Sequence, residues 1–432
     1  PSVSSAPEHQ ADCRRAGAWL EVRLGRMGMR TEMVDVHAGG LPVLTAEWLE
    51  RPGAPTLTLY GHYDVQPPDP LDEWRSAPFE PAVRDGFVYA RGADDNKGQI
   101  LAGVKAAEHW FAGGGPPLNL RFLIEGEEEI SGRSLPDYVR ANAGRLATDY
   151  LLVADGVFTA PGLPNLLTGL RGLLYVEIEV TGPQADLHSG LFGGVAPNPF
   201  NSLAHVIAGL KDREGRILIP GFYDQVRPPE AEELEAWQRV PLSERELMER
   251  MGVDALPGEP GQPALLRLWA RPTLDVHGVM GGFVGEGSKT VIPARAKAKV
   301  SMRLAPDQDP ASVLEALERY VPTLATPGTR ATVTSLNTAA PVLIDIGHPG
   351  IRAASRAFET AYGAPPVLTR EGASVPVVAD FKEALGARMM VTGFGLPGDG
   401  LHSPNERFSL DQYHRGTEMV IHLMDGLANG AD

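Results

Sequence analysis

Residues 55–64 read PTLTLYGHYD, a short apolar run that leads directly into a histidine and an aspartate. Three other apolar runs have the same form, and each of them also leads into acids or a histidine. Runs of this length and composition predict buried strands, so we expect four strands that deliver polar side chains to one region. The other three runs are NLRFLIEG (119–126, before Glu128 and Glu129), DYLLVAD (149–155, ending in Asp155) and ARMMVTGFG (387–395, before His402).

Helix-like stretches separate the first of these runs, for example GQILAGVKAAEHWFA at 98–112. Alternation of strand and helix predicts an α/β fold with a mostly parallel sheet that is flanked by helices on both faces. In such sheets ligands bind beyond the carboxyl ends of the strands. Loops after strands are polar in any case, but four strands that all end in candidate ligands favour a functional site at this edge.

The pattern changes between residues 173 and 336. Strand-like runs (174–182, 296–305 and 331–336) alternate here with helix-like runs such as 198–211 and 309–321. We interpret this part as an inserted α+β domain, so that residues 1–172 and 337–432 form the metal-binding catalytic domain. The stretch from about Pro228 to Pro263 is rich in Glu, Pro and Gly, which predicts an irregular segment.

The composition excludes several classes of function. The 432 residues carry a formal charge of -16, which would repel nucleic acid and anionic lipid. No apolar run approaches the ~18 residues of a membrane span, and the first residues lack the apolar stretch of a secretion signal. Cys13 is the only cysteine, so thiolate zinc sites and intrachain disulfides are impossible, and a reducing cytoplasm is the expected location. A bound metal therefore needs histidine and carboxylate ligands.

Local motifs support a metal site but leave alternatives open. His62 and Asp64 are two residues apart, so in an extended segment Asp64 can orient the histidine ring. Asp94 and Asp95 lie in a glycine-flanked turn before a helix, where a carboxylate either bridges cations or caps the helix. The three consecutive glutamates at 127–129 repel one another, so burying them costs free energy unless positive charge, such as a metal ion, lies nearby. The alternative interpretation is an acidic turn that is exposed to solvent.

Nine separated motifs together resemble the dinuclear-zinc amidohydrolases and exopeptidases, and most of all their carnosinase-type dipeptidase branch. They occur in the order and at the approximate spacing of that family and cover nearly the whole chain. The motifs are GHYDVQP (61–67), RGADDNKG (91–98), EGEEEISG (125–132), LLVADG (151–156), GLRG (169–172), DLHSG (186–190), SKTVIP (288–293), TREGASVP (369–376) and GDGLHSPNE (398–406).

The resemblance implies two divalent metal ions per subunit, zinc by expectation, with manganese and cobalt as alternatives. His62, Asp95 and Asp155 would hold one ion, and Asp95, Glu129 and His402 the other, with a water between them. Asp95 is assigned as the bridge because the family's bridging aspartate lies two residues before a Lys-Gly pair, here residues 97–98. Relatives also have a cis peptide bond after this aspartate.

The resemblance implies further roles around the metal ions. Glu128 would be the general base that activates the water and then protonates the leaving amine. His188, on the inserted domain, would reach the active site of a partner subunit and stabilise the oxyanion, so a homodimer through this lid and dimerisation domain is expected. The substrate would be a small peptide with a free carboxylate. The residues expected to hold it are Arg303, Thr290, Gly372 and Ser374.

Two positions depart from the family pattern. EEISG replaces the commoner E-E-x-G-S beside Glu129, and Leu336 and Asn337 replace a His-Gly pair that carnosinase-type members carry just after the last strand of the inserted domain. His277, in DVHGVMGG at 275–282, is a further candidate near the substrate.

Three other functions share parts of this pattern. An N-acyl amino acid deacylase would use the same centre, and an inactive dimeric binding homologue would keep only the fold. Retention of Glu128 and of all five ligands argues against loss of activity. A metallophosphodiesterase is disfavoured, because no glycine loop or cationic pocket for phosphate is evident. The sequence therefore predicts metal-dependent hydrolysis of an amide bond in dipeptides or similar molecules.

Overall fold

The computed structural model describes residues 1–372 and 376–430. Eighteen strands lie in these two ranges, and most of them are short. In chain order they are β1 (Arg30–Val34), β2 (Val43–Trp48), β3 (Thr56–His62), β4 (Ala82–Arg84), β5 (Phe87–Tyr89), β6 (Asn119–Glu125), β7 (Tyr150–Ala154), β8 (Asn165–Leu170), β9 (Gly172–Thr181), β10 (Leu187–His188), β11 (Thr273–Gly281), β12 (Val291–Ile292), β13 (Arg295–Leu304), β14 (Arg330–Ala339), β15 (Val342–Leu343), β16 (Val367–Glu371), β17 (Arg388–Thr392) and β18 (Arg407–Ser409).

Twelve α-helices alternate with these strands in the same described ranges. Among them, no helix is long and apolar enough to cross a bilayer. In chain order they are α1 (Gln10–Arg26), α2 (Lys97–Ala112), α3 (Ser134–Ala141), α4 (Ser189–Phe192), α5 (Pro199–Leu210), α6 (Ala231–Trp237), α7 (Glu244–Met251), α8 (Ala264–Trp269), α9 (Pro310–Leu324), α10 (Pro349–Tyr362), α11 (Pro376–Leu385) and α12 (Leu410–Ala428).

A nine-stranded mixed sheet forms the core of the larger domain, with the strand order β1-β2-β6-β3-β7-β17-β8-β15 and with β16 beside β8. The four central neighbours β6, β3, β7 and β17 run parallel to one another. These are the four strands that the apolar runs predict. Their carboxyl ends therefore meet at one edge of the sheet, which places the residues that follow them close together.

The central strands are buried along nearly their whole length. This burial indicates that both faces of the sheet are covered by helices. Helix α12 packs against both α2 and α10, and α3 packs against α11. Strands without exposed alternate residues are typical of parallel sheets in α/β proteins. The predicted fold class is confirmed.

A second, antiparallel sheet of four strands lies between the two parts of the larger domain in sequence, in the order β11-β13-β9-β14. With α5 after β9 and α9 after β13, this is the split βαβ arrangement of a ferredoxin-like unit. Side chains of β9 alternate between buried and half-buried, so one face of the sheet packs on α5 and α9 while the other stays open. The sheet runs from Gly172 to Ala339, slightly beyond the residues 173–336 that the sequence pattern predicts.

The segment from Pro228 to Pro263 differs in part from the prediction, because it contains two short helices, while residues 238–243 and 252–263 are irregular. Glu233 in α6 forms a bidentate ion pair with Arg370 of β16, at 2.7 and 2.6 Å, and both side chains are buried. The Trp237 indole also donates to the Leu368 carbonyl. Because breaking a buried ion pair is strongly destabilising, α6 is firmly attached to the edge of the large sheet.

Candidate metal centre

The five predicted metal ligands converge at the carboxyl edge of the parallel strands. His62 is the last residue of β3, Asp155 directly follows β7, and Glu129 lies in a 3-10 helix, Glu128–Ile130, just after β6. Asp95 precedes α2, and His402 lies in the loop between β17 and β18. The convergence follows from the parallel order of the strands.

One half of the cluster contains His62, Asp95 and Asp155. The Nε2 atom of His62 lies 3.1 Å from Oδ1 of Asp95 and 3.6 Å from Oδ1 of Asp155. The His62 ring is fully buried. These three residues form the first group of ligands that the family resemblance implies.

The other half contains Asp95, Glu129 and His402. The Nε2 atom of His402 lies 2.9 Å from Oδ2 of Asp95 and 3.3 Å from Oε2 of Glu129. Asp95 therefore turns one carboxylate oxygen towards each histidine. Ligand atoms of His62, Asp95 and Glu129 lie within 4.8 Å of one another, which is compact enough to hold a metal ion.

Asp64 lies behind His62, where the sequence predicts it. The Nδ1 atom of His62 faces the Asp64 main-chain carbonyl at 3.1 Å. The carboxylate oxygen Oδ1 of Asp64 is 3.3 Å from the same nitrogen but makes no hydrogen bond, and Oδ2 accepts the Glu129 amide. A proton on Nδ1 would leave Nε2 free to bind a cation, which is the usual arrangement behind a metal-bound histidine.

The electrostatics of the cluster suit divalent cations. Hydrogen bonds to Asp95 and Glu129 raise the pKa of His402 to about 10. Burial alone would lower the pKa of His62, but Asp155, Asp64 and Asp95 outweigh it and raise this pKa well above its ordinary value. The carboxylates thus attract positive charge, which a metal ion supplies better than a proton.

One buried oxygen also fits a metal ion. Oε1 of Glu129 has no hydrogen-bond partner among the described residues. An unpaired buried oxygen is costly, and a cation close by would remove that cost. The donor set is made of imidazole nitrogens and carboxylate oxygens only, which suits zinc, manganese or cobalt.

The three consecutive glutamates have different environments. Glu127 points away from the cluster, and its carboxylate accepts the main-chain amides of Leu41 at 2.7 Å and Ser134 at 3.2 Å. Burial raises the pKa of Glu128 to about 8, with Asp155 adding to this effect and His62 opposing it. Glu128 can therefore both accept and release a proton near neutral pH, as a general base requires.

The loop that carries Asp95 is held by a residue that sequence reasoning missed. The buried Glu406 carboxylate accepts the main-chain amides of Gly92, Asp94 and Asp95 at 2.9, 3.0 and 3.1 Å, and it pairs with Arg91 at 2.7 Å. The signal was present, because Glu406 ends the motif GDGLHSPNE. The Asp95–Asn96 peptide bond is cis, as the resemblance implies.

Two amide side chains were also missed, and both touch predicted ligands. Asn96 donates to Oδ1 of Asp155 at 2.7 Å, and Gln66 donates to Oε2 of Glu129 at 2.8 Å. Gln66 belongs to the motif GHYDVQP. Such contacts orient carboxylate ligands and reduce their freedom to rotate.

The predicted substrate residue Arg303 and the predicted oxyanion residue His188 lie on strands of the inserted domain. Arg303 is half-buried on β13, between Leu173 and Thr273 of the neighbouring strands. His188 is exposed on β10 and its ring Nδ1 accepts the Gly190 amide.

Thr290 and Gly372 lie in different parts of the fold. Thr290 lies beside the end of β10, and Gly372 lies at the end of β16. The carbonyl of Thr290 accepts the Ser189 amide, one residue after His188. Gly372 follows β16 and lies so close to α8 that an added Cβ would be 2.6 Å from the Leu268 carbonyl. Ser374 falls outside the described residues.

His277, Leu336 and Asn337, the remaining candidates near the substrate, all lie on strands of the antiparallel sheet. His277 stacks on Tyr175 with ring centroids 5.3 Å apart, and its Nε2 lies 2.7 Å from Oγ of Ser301. Leu336 and Asn337 lie inside β14, at its bulge, and not after the end of the strand. Asn337 and Glu128 line a common cavity of about 200 Å³. The departure from the family pattern therefore faces the catalytic region.

Comparisons with known proteins identify the family of the chain. Residues 58–426 match the model of peptidase family M20/M25/M40. The chain is 32% identical to the human Beta-Ala-His dipeptidase, over 97% of this chain and 85% of the relative. It is also 32% identical to a Cys-Gly metallodipeptidase of Schizosaccharomyces pombe, over 90% of this chain and 83% of the relative.

A solved structure gives the same assignment. The M20 family metallo-carboxypeptidase of Sulfolobus solfataricus superimposes with a TM-score of 0.87 at 31% identity, covering 99% of this chain and 97% of that one. The match includes both the large mixed sheet and the inserted antiparallel sheet. The chain therefore belongs to peptidase family M20/M25/M40, in the metallopeptidase branch that contains the carnosine and Cys-Gly dipeptidases.

Proposed function

We propose that this protein hydrolyses the peptide bond of dipeptides that carry a free C-terminal carboxylate. The observation that carries the proposal is the position of Glu128 beside the five-residue cluster. A buried carboxyl with a pKa of about 8 adjoins a compact set of cation ligands. The dipeptidases among the relatives support a small peptide as the substrate.

We propose two metal sites that share Asp95. His62 and Asp155 would complete the first, and Glu129 and His402 the second. Zinc is the proposed ion, since mixed histidine and carboxylate ligands are common at catalytic zinc sites. Two bound divalent ions would polarise the scissile carbonyl and lower the pKa of the attacking water.

The residues of the chain account for the proton transfers. Glu128 takes a proton from the attacking water and then holds it, because burial favours its neutral form. When the carbon–nitrogen bond breaks, Glu128 gives this proton to the departing amine. Asp64 keeps the His62 ring in one orientation, and Glu406 holds the Asp95 loop through three main-chain amides.

Positive charge on the antiparallel sheet supports carboxylate recognition. Burial and the neighbouring Arg303 lower the pKa of Arg171 to about 10, so two guanidinium groups lie near each other at this end of the sheet. The Arg171 side chain also donates to the Gly372 carbonyl at 2.8 Å. A substrate carboxylate beside Arg303 would offset this repulsion, and its planar geometry matches a guanidinium fork.

A homodimer is part of the proposal, with His188 acting in the partner's active site. Large apolar side chains directly after His188 are exposed, namely Leu191 at 76%, Phe192 at 45% and Val195 at 91%. Exposed apolar clusters of this kind mark interaction surfaces. Association of two chains through the inserted domain would cover this segment and bring His188 to a second catalytic centre.

The test is hydrolysis of a dipeptide panel and of matched N-acetyl amino acids by metal-free protein resupplied with zinc, manganese or cobalt. Beta-Ala-His and Cys-Gly belong in the panel because relatives are named for them. Metal-dependent cleavage of dipeptides is the expected result. Cleavage of the acetylated amino acids alone would replace the proposal with a deacylase, and absence of any turnover would contradict both.

A further inference from the structure

A second cavity, of about 400 Å³, lies away from the metal cluster, between the end of the antiparallel sheet and helices α7 and α8. None of the five proposed metal ligands is among the described residues that line it. Its volume is within the range of sites that bind small organic molecules. We propose that this cavity is a binding site for a small organic anion with an apolar body.

The walls of the cavity are mostly apolar, and several of them are open to solvent. Met251 at the end of α7 is 57% exposed, Val253 is 43% exposed and Leu268 in α8 is 40% exposed. Ile217 and Leu274 are buried at its inner side. Exposed apolar side chains that converge on one cavity gain free energy when a ligand covers them.

The charged residues of the lining determine the class of ligand. Four are positive and two are negative, which leaves a formal excess of two positive charges in a chain whose net charge is -16. The positive residues are Arg171, Lys211, Arg267 and Arg271, and the negative ones are Glu259 and Asp275.

Ion pairs involve three of the four cations, but the two carboxylates of the lining neutralise only two of them. Arg271 pairs with Glu259 at 2.5 Å, and Lys211 lies 3.7 Å from Asp275. Arg267 lies 3.8 Å from Glu244, whose side chain is 60% exposed and outside the lining. Arg267 also donates to the Leu256 and Pro257 carbonyls, while its Nε is buried without a hydrogen-bond partner among the described residues. Cationic groups around an apolar space favour a ligand that combines an apolar body with a carboxylate, sulfonate or similar anion.

The cavity also adjoins the proposed substrate loop. Arg171, in its lining, donates to the Gly372 carbonyl at 2.8 Å and to the carbonyls of Arg267 and Arg271 at 3.3 and 3.1 Å. Gly372 rests directly on the Leu268 main chain in α8. An occupant that shifts α8 therefore shifts Gly372, and this coupling rests on the substrate role proposed for that residue.

The binding test uses the metal-loaded, full-length protein and the apolar anion anilinonaphthalene sulfonate, with neutral phenylnaphthylamine as the matched probe without the charge. Calorimetric titration should show one saturable sulfonate site per chain, with at least ~10-fold weaker binding of the neutral probe. Met251→Glu should weaken sulfonate binding at least ~10-fold, while the uncharged isostere Met251→Gln should weaken it less than ~3-fold. Leu71→Glu, an exposed apolar position on the larger domain, should leave it unchanged.

Sulfonate affinity that is equal in Met251→Glu and the parent protein would overturn the proposal, as would equal binding of the two probes. The coupling has its own readout. At saturating sulfonate, KM for a cleaved dipeptide should change at least ~3-fold with kcat nearly constant, and Met251→Glu should abolish that change. An unchanged KM would remove the coupling but leave the site, and failure to cleave any dipeptide would count against the catalytic proposal alone.

Discussion

The carboxylate of Glu406 accepts a hydrogen bond from the main-chain amide of Asp95 at 3.1 Å, although the two residues are 311 positions apart. The same carboxylate accepts two further amides of this loop and pairs with Arg91. Glu406 is four residues after His402, so one short segment both supplies a proposed ligand and supports the shared one. Glu406 therefore links the loop of Asp95 to the segment that carries His402.

Glu406→Gln should weaken metal binding without touching the metal ions directly. The amide that replaces one carboxylate oxygen presents N–H groups to main-chain donors, so the Asp95 loop loses acceptors. We expect zinc affinity to fall ~10- to 100-fold, as for other residues that support ligands. The free energy of unfolding should fall by about 3 kcal/mol, because a buried ion pair is broken.

Chelator competition measures the zinc affinity of this variant, and denaturant unfolding measures its stability. Glu418→Gln is the matched control, since Glu418 lies on the exposed side of α12 and is 53% accessible. Parental zinc affinity in a folded Glu406→Gln protein would show that the loop keeps its geometry without this carboxylate.

Glu128→Gln should lower kcat by about three orders of magnitude while leaving two metal ions bound, because it removes only the proton acceptor. Glu127→Gln is the informative neighbour, as Glu127 holds the Leu41 and Ser134 amides. That variant should lose about 1–3 kcal/mol of stability and keep kcat within a few-fold. The two variants are compared by steady-state kinetics and by analysis of their metal content. A near-parental kcat in Glu128→Gln would remove Glu128 from the mechanism.

Removal of the metal ions should make stability depend on pH in a defined direction. In the metal-free protein burial raises the pKa of Glu128 to about 8, and hydrogen bonds to Asp95 and Glu129 raise that of His402 to about 10. A raised folded-state pKa stabilises the protein below the unfolded value, and this contribution is lost as pH rises through the folded value. The melting temperature of metal-free protein should therefore fall between about pH 5 and about pH 9.

Zinc-loaded protein is the comparison, since bound cations replace the protons and should flatten this dependence. Glu128→Gln without metal should show a smaller fall than the parent, because one titrating group is gone. A melting temperature of the metal-free protein that rises over the same interval would contradict the assigned electrostatics.

The sequence predicts the central sheet and the convergence of the five candidate ligands at its edge, for a physical reason. Apolar runs that end in His62 and Asp155 identify parallel strands, and the carboxyl ends of such strands must meet at one edge. Contacts such as Glu406 with Asp95 depend on distant segments folding together, so local patterns do not reveal them. The two helices between Pro228 and Pro263 were missed for another reason. Their Pro and Gly content masked the capping box of Ser243 and Glu246.

Complementation should test whether active sites are built across a dimer. His188→Ala and Arg303→Ala each remove one residue from every site if the histidine comes from the partner and the arginine from the same chain. A mixed dimer then regains one intact site, so an equal mixture should recover up to about a quarter of parental activity. Activity of the mixture, after unfolding and refolding together, is compared with each variant alone. Verified heterodimers without any recovery would show that both residues serve the same site from one chain.

Asn337→His should change which dipeptide is preferred more than how fast hydrolysis proceeds. Asn337 lines the cavity of about 200 Å³ beside Glu128, and it is one of the two positions at which this chain departs from the His-Gly pair of carnosinase-type relatives. An imidazole there adds bulk and a second hydrogen-bonding nitrogen, so it should act on the part of the substrate nearest the base. We expect the ratio of kcat/KM for Beta-Ala-His over Cys-Gly to shift by ~10-fold, corresponding to one or two altered contacts. Thr334→His, on the same strand but outside that cavity, is the control, and an equal shift in both variants would place the effect in the strand and not in substrate contact.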